Sequence, residues 1–462
     1  MPWGKGNFVN EETRTAGCRA STEEGQPTTA ERMNRIPASR HTKEIIFFVF
    51  VGWFAECIDL GGTSYLLPTI REFFDMSTAL GGYYSSICFI GMFIGALFAG
   101  RIADKVGRKK TVVCAMTIWG IAGFLLVFSP NIVYLFAVRF VLGLGLGAQF
   151  PVAMSYVSEI VCAAERPKYM TMYQLMAPLA FAFAGLLTVL ILPHFDWRGV
   201  YLAEALPALF IIGIIKVVPE SPLWLESVGR HDEADEICSR FEAEYMAHHG
   251  ELPEVVPAVH ASSEEKASFR DLFGKKYLKS TIVICCVWFI SMFSDYGLTT
   301  WLTTILVEKG FSIVSSTGFV AVGILGGIPA WFATSWATKK FGRKKVFLVA
   351  GIWTAVFGSI YGMSGSVTAL IVFGALYQFG KYANCMLDAL YTPELYETGI
   401  RGAGNGLGTA CGRLGSIFGP IIMAFIFSAV GADMTVAIAT GLVIVPGLIV
   451  FLFGPETKDK VF

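Results

Sequence analysis

Apolar runs of roughly the length of a membrane helix, each closed by a short polar turn, follow one another from residue 45 to residue 453. A helix needs about 20 apolar residues to cross the roughly 30 Å hydrocarbon layer of a bilayer. Twelve runs qualify: 45–68, 82–103, 111–129, 132–156, 171–193 and 198–218, then 281–306, 317–338, 346–364, 367–390, 404–429 and 433–453. Inside hydrocarbon every backbone N–H and C=O must be satisfied within the protein, so each run is predicted to be a helix. The pattern therefore predicts an all-α polytopic membrane protein.

The runs fall into two sets of six that repeat one another. Gly107-Arg108-Lys109-Lys110, between the second and third runs, returns as Gly342-Arg343-Lys344-Lys345 at an offset of 235 residues. Glu159 with Arg166, and Trp53, return as Glu394 with Arg401, and Trp288, at the same offset of 235. Pro219-Glu220-Ser221 returns as Pro455-Glu456-Thr457 one position out of phase. A constant offset over so much of the chain marks two tandem copies of one unit. The expected organisation is a tail (1–43), a six-helix bundle (44–218), a central loop (219–280), a second, pseudo-symmetric six-helix bundle (281–453) and a short tail (454–462).

Composition agrees with a lipid solvent. The 462 residues are 54% hydrophobic and only 16% charged, with mean hydropathy +0.58, too apolar for two soluble domains. The formal net charge of zero hides a sorting by side. Lysine and arginine crowd the turns on one face, whereas the opposite turns hold Arg71, Arg198 and Lys309. By the positive-inside rule the basic face, with both termini, is expected to be cytoplasmic, in a plasma (inner) membrane. Residues 1–43 lack the apolar core of a signal peptide and are expected to form a flexible cytoplasmic tail. The ten cysteines lie mostly in apolar runs without metal-site spacing. No cofactor, metal or nucleic-acid partner is expected. The partners are a small molecule, protons and the bilayer.

Ionisable residues inside the runs carry the chemistry, because a charge in hydrocarbon is expensive and normally faces a cavity, a partner or a proton path. Glu56 and Asp59 lie near the middle of the first run, with Trp53 and Thr63 on the same broad face. The seventh run carries Trp288, Ser291, Asp295 and Thr299 on one face, and Asp295 nearly repeats Asp59. In the tenth, Tyr377, Lys381, Asn384 and Asp388 form a single polar stripe with Gln378 beside it. Arg139 and Gln149 sit in the fourth run, and Asn405, Thr409, Arg413 and Ser416 share a stripe in the eleventh. All six histidines lie in tails or loops, so a proton relay would use Asp59, Glu56, Asp295 or Asp388. Each carboxylate could instead be a structural ion pair, and Lys381 could pair internally with Asp388 or a seventh-run carboxylate. Aromatic residues such as Tyr296 either pack and face lipid or stack on a ring. The glycines Gly143, Gly145 and Gly147 follow no strand; they suit close helix packing rather than a nucleotide.

Several motifs together resemble the major facilitator superfamily. The stretch Gly100-x3-Asp104-Lys105-x-Gly107-Arg108-Lys109-Lys110 is similar to that family's loop between spans two and three. The loop is expected to help hold the two halves together in the outward-facing state. Arg139 resembles the arginine of span four in proton-linked facilitators. Glu159 with Arg166, and Glu394 with Arg401, resemble its cytoplasmic charge relay, though a plain interfacial salt bridge would look the same. Gly342 and Arg343 are expected to carry less gating weight, because Lys339 stands where the first copy has Asp104. Pro219-Glu220-Ser221-Pro222 and Pro455-Glu456-Thr457-Lys458 resemble sugar-porter signatures, and Tyr391 to Gly402 resembles that of metabolite–proton symporters. The Glu56–Asp59 pattern looks like that of aromatic-acid and nicotinate symporters, which more often carry two aspartates.

The resemblance implies a monomeric transporter working by alternating access, with substrate between the halves. No phosphate-binding glycine–lysine loop points to ATP, and no enzymatic activity is expected. Arg139, Lys381 and Arg413 suit a small carboxylate, so the expected function is proton-coupled symport of a small organic anion, aromatic in the benzoate or nicotinate manner. A sugar, polyol or organic-cation carrier is the alternative, since the four carboxylates could receive a cation. A non-transporting sensor is a third. In the central loop, Ala234, Ile237, Cys238, Phe241 and Tyr245 form a helical stripe, so an amphipathic helix is predicted over Gly229–His249.

Overall fold

The computed structural model of the protein describes residues 27–254 and 269–458; most of the N-terminal tail, residues 255–268 of the central loop and residues 459–462 lie outside the described residues. Span 1 is Arg40–Phe73, span 2 Thr78–Val106, span 3 Arg108–Leu126, span 4 Ile132–Ile160 and span 5 Arg166–Ile191. Span 6 is built from Trp197–Ala205, a 3-10 segment Leu206–Phe210 and Ile211–Val217. The second half repeats the order. Span 7 is Leu278–Glu308, span 8 joins Ile313–Leu325 to Ile328–Phe341, span 9 is Arg343–Met363 and span 10 is Val367–Tyr391. Spans 11 and 12 run together as Thr398–Leu442, broken at Gly431 (φ +79°), and continue as Ile444–Phe453. No strand occurs among the described residues.

Ten of these helices are long and apolar enough to cross a bilayer, with spans 11 and 12 counted as one; span 10 falls short. Its polar stripe lowers its hydropathy, which separates it chemically from its neighbours. Helix starts follow capping chemistry: Ser77, Asn131, Ser312 and Ser366 each accept a hydrogen bond from a backbone N–H of the first turn. The breaks in spans 6 and 8 fall at Pro207 and Pro329, each near the start of the segment after the break. The sequence pattern predicts unbroken helices there; the run of apolar residues continues through a proline that the backbone does not.

Small residues bring the helices together. A Cβ on Gly91 or Gly95 of span 2 would collide with the backbone of span 4, and one on Gly143 or Gly147 would strike Cys88 or Met92 in return. Gly415 and Gly419 make the same close approach to Phe289 and Phe293 of span 7. The span 4 glycines therefore serve packing.

The halves meet at the ends remote from the basic turns. There Gly82 sits against Pro420 and Ala424, Gly185 against Ala321, and the Ser86 hydroxyl donates to the Ile417 carbonyl at 2.7 Å. The Arg71 guanidinium lies over the Trp301 ring at 5.3 Å. Toward the basic face the contact opens. Gly100 of span 2 and Gly402 and Gly406 of span 11 have no atom within 4 Å of where a Cβ would stand. The helices that touch at one end thus part at the other.

Part of the N-terminal tail is ordered. Thr29–Arg35 forms a helix opened by a capping box between Thr28 and Glu31, and it docks on the central-loop helix His231–His249. Arg32 donates to Glu242 at 2.7 and 3.0 Å, and Arg35 reaches the same carboxylate at 2.5 Å. Ala38 N–H donates to Glu165 at 2.7 Å, fastening the segment to the first half. Composition alone suggested a flexible tail, because the partner charge is more than two hundred residues away in sequence. Burial pushes the Glu242 carboxyl up, and Arg32 and Arg35 outweigh it, holding the group below the usual carboxylate range. A carboxyl held low in the docked state stabilises docking above its ordinary pKa, about 4.3. That contribution is lost as pH falls through the docked value. Docking is therefore expected to persist at neutral pH and fail in acid. Glu242→Ala should raise amide exchange over residues 29–35 about tenfold at pH 7, given ~1.5–3 kcal/mol for a charge-assisted hydrogen bond; unchanged exchange would remove the ion pairs from this role.

Candidate functional site

Each half places one carboxylate–cation pair between its first and fourth spans. In the first half the Arg139 guanidinium, only 1% exposed, lies 3.0 Å from the Asp59 carboxylate. It also donates to the Thr63 hydroxyl, which in turn donates to the Asp59 carbonyl at 2.9 Å. In the second half Lys381 lies 2.6 Å from Asp295 and donates to Thr299 at 3.0 Å, while Thr299 donates to Asp295 at 3.1 Å. Asp-x3-Thr on spans 1 and 7 thus meets a cation from spans 4 and 10. The threonine is one helical turn past the aspartate, so its hydroxyl lies on the same face and completes the triad.

These pairs account for two of the three cations read from the sequence. The third, Arg413, makes no ion pair among the described residues. Its charge acts on Glu56 of span 1 and Tyr296 of span 7, which places it where the halves face each other. Glu56 is fully buried, and among the described residues neither carboxylate oxygen has a hydrogen-bond partner. Tyr296 packs edge-on against Phe89 across the interface, ring centroids 4.7 Å apart. Both rings line a nearly closed cavity of about 10 Å³ together with Thr63, Arg139 and Thr299.

Glu204 belongs to this site and escaped the sequence reading. It is 2% exposed, on the broken span 6, with both carboxylate oxygens unpartnered among the described residues. It fills the space left by Gly62 of span 1, where any Cβ would collide with it, and it shares the field of Asp59 and Arg139. A lone glutamate near the start of an apolar run reads as an interfacial residue; only the glycine opposite makes room for it inside.

Other residues face elsewhere. Gln149 accepts from Trp119 Nε1 at 2.5 Å and packs against Gly52, inside the first half. Asn384 donates to Thr354 at 3.0 Å, within the second half. Tyr377 stacks on Tyr361, ring centroids 6.1 Å apart. Gln378 is 3% exposed with its Oε1 unpartnered. Asn405 is exposed on the open part of span 11. Asp388 is buried without an ion pair in a pocket with Asp295 and Lys381.

Truncating Lys381 leaves Asp295 unpaired. Breaking a buried pair costs roughly 3–5 kcal/mol, and Lys381→Ala is expected at the low end because the Asp295 side chain is 21% exposed. Melting in detergent measures the loss, and Asp295→Asn with Lys381→Ala should recover most of it. An equal loss in the double variant would contradict the pairing.

The basic turns are wired alike in the two halves, with an extra pair at Asp104 in the first. Gly107 (φ +112°) and Gly342 (φ +85°) occupy the left-handed region that glycine tolerates. Each makes room for a glutamate, Glu220 or Glu456, which accepts from the Lys109 N–H at 2.8 Å or the Arg343 N–H at 2.9 Å. Arg108 reaches Glu159 at 3.3 Å, and Arg343 reaches Glu394 at 2.7 Å, each across 51 residues. Ser221 and Thr457 donate to those same glutamates. Asp104 adds a 2.8 Å pair with Arg108, and Gly100 lies exposed beside it. Arg166 and Arg401 bond instead to Asn34 (3.4 Å) and to the Tyr396 carbonyl (3.5 Å). The seven-residue spacing puts each arginine beyond its glutamate, at the start of the next span.

Known proteins resemble the chain along nearly its whole length. Residues 19–462 match the family described as sugar (and other) transporter. The niacin transporter of Acinetobacter baylyi is 31% identical over 93% of this chain and 97% of its own length. The 4-hydroxybenzoate transporter of the same organism is 26% identical, covering 90% of each chain. Among solved structures, a D-xylose–proton symporter superposes with TM-score 0.72 at 16% identity, covering 91% of this chain and all of that one. An inward-open form of the Escherichia coli xylose transporter superposes with TM-score 0.68 at 17% identity, over 90% and 97%.

Proposed function

The chain belongs to the sugar (and other) transporter family of the major facilitator superfamily, and from that premise we propose that it imports a small aromatic monocarboxylate together with a proton. Arg413 carries this reading: of three cations in the cavity helices, it is the one among the described residues with no carboxylate paired to it. A guanidinium between apolar walls receives a carboxylate in two parallel hydrogen bonds. Tyr296 and Phe89 supply rings for an aromatic substrate to stack on. The niacin and 4-hydroxybenzoate relatives support the same substrate class.

Proton coupling follows from charge. Arg413 can answer Glu56 or the substrate carboxylate, not both at full strength, so a proton on Glu56 frees the guanidinium for the anion. Asp59 is the second acceptor. A proton there loosens Arg139, and Glu204 stands next to take that cation's field. Anion and proton then travel as a neutral load, which lowers the barrier to closing a dry cavity around them. On this reading the basic face lies in the cytoplasm of a plasma membrane, the open end is the inward one, and the turn at Arg108, more than that at Arg343, helps hold the halves together when the cavity faces out.

Calorimetry on the purified protein tests the substrate class. Nicotinate and 4-hydroxybenzoate are expected to bind, and nicotinamide, a hexose and a quaternary amine to bind at least tenfold more weakly. Preference for the hexose or the amine would overturn the anion assignment and leave the fold standing.

A further inference from the structure

The second half holds one carboxylate more than its pairing accounts for. A cavity of about 30 Å³ inside that half is lined by Ser291 and Asp295 of span 7, Thr354 of span 9, and Lys381, Asn384 and Asp388 of span 10. Lys381 is committed to Asp295 at 2.6 Å. Asp388 is 1% exposed, and neither of its oxygens has a donor in bonding geometry, with Ser291 alongside. Asn384, 5% exposed, spends its NH2 on Thr354 and Gly380 and leaves its Oδ1 without a partner. Among the described residues no hydrogen bond of ordinary geometry reaches these three buried acceptor atoms, with the Ser291 hydroxyl beside Asp388 as a nearby donor, and buried acceptors normally have a closer one.

Charge leads to the same place. Asp295 and Asp388 together oppose the single ammonium of Lys381, leaving one negative charge over. Cys385 and Tyr377, on the same span, are the other titratable groups lining the pocket among the described residues. Spans 9 and 12 contribute Thr354 and Val443, which carry no charge. An unbalanced charge in such surroundings costs several kcal/mol unless it is neutralised.

We propose that this pocket is a cation site of the second half, taking one monovalent cation, a proton or a sodium ion, on Asp388, with Ser291 and Asn384 as neutral oxygen donors. The cation it takes is additional to the proton carried in the first half. Its consequence rests on the transport reading: uptake of a monoanion would then move net positive charge inward. Its existence does not, because it is tested without any organic substrate.

The experiment compares full-length wild type with Asp388→Asn and Asp388→Glu in detergent. One probe is binding of radioactive sodium at fixed pH; the other is potentiometric counting of protons taken up between pH 9 and pH 5. The expected result is that Asp388→Asn binds one sodium fewer, or takes up one proton fewer, than wild type, and that Asp388→Glu retains it. The sodium arm and the proton arm identify the cation. Equal counts of both in wild type and a folded Asp388→Asn overturn the site. Where Asp388→Asn does not fold, Ser291→Ala and Asn384→Leu serve instead. Each should weaken sodium binding about tenfold or move one titrating step, and wild-type behaviour in both would equally overturn it. A failure of nicotinate to bind leaves this result readable, since no organic acid is present.

Discussion

Arg413→Ala is expected to weaken nicotinate binding about 10- to 100-fold, the equivalent of the ~1.5–3 kcal/mol of a charge-assisted hydrogen bond. Arg139 and Lys381 cannot replace it without giving up Asp59 and Asp295, each held at 3.0 Å or less. The variant should fold, because the side chain it removes has no ion-pair partner among the described residues and is half-buried. Arg413→Lys keeps the charge and loses the planar fork, so an intermediate loss is expected. Nicotinamide, which lacks the charge, should bind wild type and Arg413→Ala alike. Titration calorimetry on the four combinations reads the effect. Undiminished nicotinate affinity in Arg413→Ala would move the anion site to another residue.

Asp59→Asn is expected to abolish gradient-driven accumulation while leaving exchange of internal for external substrate intact. The asparagine can still hydrogen-bond to Arg139 but cannot take up and release a proton. Truncating one member of a buried pair normally costs roughly 3–5 kcal/mol. Here the asparagine and Thr63 can both still hydrogen-bond the Arg139 guanidinium, so the cost is expected at the low end of that range and the variant should remain folded. Uptake should therefore equilibrate and stop, whereas a one-proton symporter reaches about tenfold per unit of pH gradient. Accumulation to the wild-type level by Asp59→Asn would take Asp59 out of the coupling step and leave Glu56 to account for it.

The spans, the repeat and the glycine packing were legible in the sequence because each is a local property. A run of apolar residues is a membrane helix in any tertiary context, and Gly143 and Gly147 announce close packing whatever they touch. Residue spacing also put Asp59 with Thr63, and Asp295 with Thr299, on one face. What the face meets was another matter. Gln149 and Asn384 sit on polar stripes as well placed as that of Lys381, yet they turn to Trp119 and Thr354 inside their own halves. A polar residue in a membrane helix is satisfied equally by a neighbour or a cavity, and periodicity does not distinguish them. Glu204 was hidden by its position near a run's end, and the cavity that receives it is made by Gly62, far off in sequence. The ion pairs of Arg108 and Arg343 span 51 residues, a separation at which spacing carries no signal, whereas Arg166 and Arg401 stand only seven residues from the same glutamates.

Each triad ties spans 1 and 4, or 7 and 10, of its own half through a charged pair. Between the halves, Ser86 and Ile417 touch at one end and Gly100, Gly402 and Gly406 stand clear at the other.

The most direct measurement is uptake of radiolabelled nicotinate by proteoliposomes carrying an inside-alkaline pH gradient, against protein-free liposomes that correct for diffusion of the free acid. The account predicts accumulation of about tenfold per pH unit, collapse on adding a protonophore, and none above the liposome control with Arg413→Ala. Nicotinate that binds the protein yet equilibrates to the same level with and without the gradient would contradict it.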